Sequence, residues 1–234
     1  MKGAVSNIFG RGSGSNSHDQ ANLQQIGQED AAVGNEVRYV DQILGYASRF
    51  GQDIIGNLER LEHLIQAKEA IYSGRIKVEL ADEQRLNNEI STVLQAVIGE
   101  NNKLQQMLTD VSSQLKIMMG LLKKEKGGLQ AIHQKHLATT AVQFTQEVQK
   151  LQTALGQFKG IETTHLQQLL LALQNYQTSH AAGPAGSKGG AVTQDVLRLI
   201  DDYKKGIQEL MALHGSLKEL QKWEAELNSL GVKP

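Results

Sequence analysis

Glu162 and His165, in the run Glu162-Thr163-Thr164-His165, form the spacing in this chain that comes nearest to a metal-ligand motif. Residues three apart share a helix face, and Glu-x-x-His pairs of this kind line di-iron centres in four-helix bundles. Such a centre needs a second Glu-x-x-His and a Glu from each of two further helices. Glu59, Glu62 and His63 could contribute. No second Glu-x-x-His occurs, however, and apart from Glu224 the remaining helical segments lack inward acidic residues. His133 and His136 share a face but have no evident third ligand. With seven histidines spread along the chain, chance spacing explains these pairs. No metal site, cofactor or small-molecule substrate is expected.

Other chemistries fare no better. Gly10-Arg11-Gly12-Ser13-Gly14 is glycine-rich, but it lacks the Gly-Lys-Ser/Thr ending and the preceding strand of a phosphate loop. There are no cysteines, which removes thiolate catalysis, disulfides and Cys-ligated zinc. No serine sits in a nucleophile elbow. The chain reads as a non-enzyme.

The segment with most potential for contact is Ile117-Met118-Met119-Gly120-Leu121-Leu122, followed by Lys123, Lys124 and Lys126. Adjacent methionines adapt to varied partners, and apolar residues beside lysines suit an anionic membrane surface. Ordinary core packing followed by a charged helix end accounts for the same residues.

These residues must be positioned by helices, because apolar side chains recur every three or four residues along most of the chain. Residues 1–34, rich in Gly, Ser, Asn and Gln, read as a flexible arm. A first helix over about 35–73 has the seam Val37, Val40, Leu44, Ala47, Ile54, Leu58, Leu61 and Ile65, capped by Asn35 and ended by Gly74. Residues 75–81 alternate apolar and polar and read as an extended connection. A second helix over about 82–126 runs from Ile90 to Leu122 along its seam, and Gly127-Gly128 predict a reversal. A third, over about 129–180, carries Leu137 to Phe158 and then slips in phase to Leu166, Leu169, Leu173 and Tyr176; the slip keeps Glu162 and His165 out of the seam. Residues 181–192 are a Gly-rich linker, and a fourth helix fills 193–234 with Thr193 as its cap.

Apolar residues also occupy the positions flanking the seam, including Ile43, Phe50, Ile55, Val93, Ile98, Ile200 and Ile207. A stripe that wide must be buried on more than one neighbour. The fold expected is therefore all-α: four long heptad-patterned helices in an up-and-down bundle, with an antiparallel coiled-coil hairpin from the second and third. Asn101 stands at an a position, where a matched Asn in a second chain would set register; hydrogen bonding at a bundle edge or to water is the plainer reading.

Net charge is −1, with 24 basic and 25 acidic residues, so no basic stripe offers the counterion release that drives nucleic-acid binding. No apolar run is long enough to cross a membrane and the N-terminus has no signal-peptide core, so a cytoplasmic protein is expected. The leading expectation is a scaffold or adaptor that self-assembles or binds other helices. A membrane-surface protein polymerising through its hairpin comes second, and a metal-binding bundle third.

Overall fold

In the computed structural model, which describes residues 13–131, 135–181 and 188–229, the chain forms four helices: α1 (Ser13–Tyr72), α2 (Leu80–Ala131), α3 (Lys135–Ala181) and α4 (Lys188–Ser229). No strand occurs among the described residues. The fold is all-α, a four-helix bundle as the heptads require.

Two compact units divide the helices. One comprises the described residues of Met1–Tyr39, Gln114–Lys150 and Lys218–Pro234, the other Val40–Ser113 and Leu151–Leu217. In the second unit the order is up-and-down. Cross-links between α1 and α2 (Asn57 to Glu100, Lys68 to Asn87), between α2 and α3 (Gln105 to Glu162, Lys159 to Thr109) and between α1 and α4 (Lys204 to Glu62, His214 to Asp41) all pair rising with falling numbers. Its core is the predicted seam, with Leu44, Ile54, Leu58, Leu61 and Ile65 of α1, Val97, Leu104 and Leu108 of α2, and Leu155, Leu169 and Leu210 all buried, joined by the flanking Ile200. In the first unit Ile26, Leu129, Leu137, Ala138 and Ala141 form one apolar cluster. Val33, Val37, Leu115, Met118, Leu122, Phe144 and Leu220 are buried there as well.

Several boundaries differ from expectation. α1 begins at Ser13, so residues 13–34 are helical rather than an arm, and Asn35 lies inside the helix. Ile26 and Val33 extend the seam of Val37 and Val40 back toward the N-terminus. Gly127 and Gly128 do not end α2, which continues to Ala131. Gly128 instead lets Ile26 approach: a Cβ there would lie 2.9 Å from Ile26 Cγ1. Of the expected 181–192 linker, residues 182–187 fall outside the described residues, whereas 188–192 are already helical, so Thr193 lies within α4, not at its start. Finally, Glu162 is in the seam of α3, between Phe158 and Leu166, and the phase slip follows it.

The connection between α1 and α2 is non-helical over 73–79, against an expected 75–81, because Leu80 and Ala81 already belong to α2. Gly74 ends α1 with φ of +71°, a left-handed conformation that L side chains resist. Its amide and that of Ser73 close the helix on Ile71 O and Glu69 O.

Candidate functional site

Buried polar groups are the places in a bundle where something other than leucine packing has been selected, because each must be partnered or neutralised. Three such clusters occur among the described residues.

The first, in the second unit, centres on Glu162. Its carboxyl is fully buried and lies between α2 and α4. Tyr203 Oη donates to Oε1 at 2.8 Å, and Gln105 Nε2 donates to Oε2. Burial pushes the Glu162 carboxyl up to about 7, against the pull of the Tyr203 hydrogen bond, which favours the charged form. The Tyr203 hydroxyl is itself raised by burial and by the adjacent carboxylate. His165, three residues on, is half-buried beside Gly206, and its Nδ1 has no hydrogen-bond partner among the described residues.

The second cluster, also in the second unit, surrounds Lys68. Its side chain is buried, its Nζ donates to Asn87 Oδ1, and the ammonium lies 5.6 Å from the Tyr72 ring centre and 5.5 Å from that of Tyr176. Burial lowers its pKa, and the charge of Glu83 resists that shift. Tyr72 donates to Glu83 at 3.1 Å, and Thr193 donates to Glu69 at 2.7 Å. Thr193 thus ties α4 to α1 instead of capping its own helix. A long aliphatic stem in the core with its cation over two rings is a packing arrangement, worth about 1–2 kcal/mol for the cation–π contacts.

The third cluster lies in the first unit, where Glu125 sits in the α2 seam with Asp30 of α1 nearby. Burial, then the charges of Asp30 and Glu29, lift Glu125 to about 8.

None of these clusters is built to hold a metal. Glu162 is surrounded by hydrogen-bond donors rather than further ligands. Glu62 is committed to Lys204 at 2.9 Å, and Glu59 and His63 are exposed. Among the described residues no group of three His, Cys, Asp or Glu side chains could hold a metal ion. His136 is exposed; His133 lies outside the described residues.

The Met-Lys segment is placed differently from expectation. Residues 117–126 lie within α2, which continues for more than a turn beyond them, and not where the chain turns. Met118 and Leu122 are core residues, and Met119, Leu121 and Lys126 are half-buried. Ile117, 49 % exposed, and the exposed Lys123 and Lys124 face outward. Ile117, Leu121 and Lys124 fall on one helical face, and Leu121 borders an open groove of about 540 Å³ whose other wall is α1 from Ala21 to Ala32, including Gln24, Gln25 and Gln28. Asn101 is buried within the second unit, and its Oδ1 has no hydrogen-bond partner among the described residues.

Sequence reasoning missed the buried positions of Lys68 and Glu125 and the half-buried one of Asp30. The signal was available in each case, since all three stand at three-or-four spacing between residues of a seam: Asp30 between Ile26 and Val33, Lys68 after Ile65, Glu125 between Leu122 and Leu129. Among the described residues no helix is long and apolar enough to cross a membrane. Comparison with protein-family models, curated proteins and solved structures finds no match for this chain.

Proposed function

We propose that this chain is a non-enzymatic helical scaffold or adaptor, acting by self-assembly or by binding the helices of another protein. The observation that supports this most is the outward line of Ile117 and Leu121 beside the glutamine-walled groove. An apolar stripe bordered by amide side chains matches what a partner helix needs: side chains to bury and a polar rim. The buried polar clusters support the same reading, because their hydrogen bonds join helix to helix. Light scattering on the pure protein, with affinity capture, tests it. Association that weakens in Ile117→Glu is the expected result; a strict monomer that captures no partner contradicts it.

A second reading, a protein lying on an anionic membrane surface, is favoured by Lys116, Lys123 and Lys124, all exposed around Ile117. It expects sedimentation with anionic liposomes that weakens when Lys123 and Lys124 become Glu. No sedimentation at low salt removes it.

A further inference from the structure

In the first unit three helices each bring a carboxylate to a seam position. Asp30 lies between Ile26 and Val33 in α1, Glu125 between Leu122 and Leu129 in α2, and Glu224 four residues beyond Leu220 in α4. Glu125 is only 2 % exposed, and its Oε2 has no hydrogen-bond partner among the described residues; nor has Asp30 Oδ1. Glu224 rests against the bare backbone of α1 at Gly34, where a Cβ would stand 2.5 Å from its Oε1. Burial raises the pKa of Asp30 and Glu224 as well as that of Glu125, and the charge of Asp30 adds to the rise in both glutamates.

Among the described residues, nothing else facing this layer neutralises it. Arg38 pulls Glu224 downward, but its guanidinium donates to Gly34 O and Asn35 Oδ1 on its own helix. Glu29, beside Asp30, adds negative charge. On α2, Lys123 and Lys124 are exposed and Lys126 is half-buried; on α4, Lys218 and Lys222 are exposed. The α3 strip that packs in this unit has no titratable residue between His136 and Glu147.

We infer that this acid layer is a proton-operated latch: protonated, it lets residues 21–39 of α1 seat on α2 and α4, and ionisation of Glu125 releases that segment. A neutral carboxyl can share a proton with a neighbouring carboxylate, whereas two ionised carboxylates in an apolar seam repel and must reach water. Release would bare Ile26, Val33 and Val37 together with the faces they cover. The Glu125 carboxyl lies at about 8 in the seated form and near the ordinary 4.5 when released. The latch is therefore fully present below about 4.5, weakens as the pH rises, and is lost above about 8.

Amide hydrogen exchange of the full chain tests this, with rates corrected for the intrinsic pH dependence of exchange. Protection of residues 21–39 falls across that window, by at most about tenfold per pH unit for a single proton. Glu125→Gln keeps the shape without the charge and removes most of the fall. A wild-type profile that is flat, or an unaltered fall in folded Glu125→Gln, overturns the inference. If circular dichroism shows that Glu125→Gln has not folded, Asp30→Asn takes its place. With one repelling charge gone the total fall must shrink, and an unchanged fall overturns the inference equally.

Discussion

Replacing Glu162 with Gln should make this protein more stable at alkaline pH and leave it almost unchanged in acid. The buried carboxyl titrates near 7 in the folded chain against an ordinary 4.5. One unit of pKa corresponds to about 1.4 kcal/mol, so the displacement amounts to roughly 3 kcal/mol in favour of the neutral form. Because the folded pKa is raised, the folded state holds the extra proton. That stability is fully present below about 4.5 and lost as the pH rises through about 7. The amide introduced by Glu162→Gln would stay neutral throughout. Its carbonyl can accept from Tyr203 Oη, and its NH2 group can donate to Gln105 once that side chain flips, so both hydrogen bonds survive. Urea or thermal unfolding followed by circular dichroism at several pH values is the assay. Near pH 8 the variant should exceed wild type by up to about 3 kcal/mol, or about 6–12 °C in Tm for a chain of this size. Near pH 4.5 the two should coincide. A variant that is less stable than wild type at every pH, or that keeps the wild-type pH dependence, would refute the reasoning.

The neighbouring contacts give three more expected outcomes. Tyr203→Phe removes the donor that holds Glu162 down, so the alkaline loss of stability should extend to higher pH and deepen by about 1–3 kcal/mol, read from the same pH series. Lys68→Ala deletes a buried stem and two ring contacts and should lower stability by about 2–4 kcal/mol, measured by urea unfolding. Gly74→Ala forces a Cβ into a backbone with φ of +71° and should cost about 1–2 kcal/mol without changing the helical content seen by circular dichroism.

The helical class, the up-and-down order and most of the core were legible in the sequence, because Leu, Ile and Val at three-or-four spacing can be shielded only by other helices. The errors share one physical cause. Asp30, Glu125 and Glu162 each occupy a seam position, and an ionisable side chain there looks like a break in the apolar period. Residues 13–34, where Asp30 interrupts the seam, were rich in Gly, Ser, Asn and Gln and showed no sustained apolar period; Glu125 lay in the expected end of α2 just before two glycines, and Glu162 suggested an early phase slip. In the fold Glu125 and Glu162 are buried and Asp30 is half-buried, and burial shifts all three toward the neutral form, in which they can occupy an apolar position. The glycines misled for a related reason: Gly128 sits where a close helix approach needs no side chain, a role that spacing alone does not distinguish from a turn. Which carboxyls find hydroxyl and amide donors, as Glu162 does, depends on pairing between helices far apart along the chain, and no local pattern reports it.

Carbon NMR of the glutamate side-chain carboxyl groups, followed through a pH titration of the intact protein, examines the buried acids without any substitution. Two resonances should titrate far from the rest, with midpoints near 7 for Glu162 and near 8 for Glu125. If every glutamate titrates in the ordinary range around 4.5 while the protein stays folded, these carboxyls are solvated and do not occupy the helical seams.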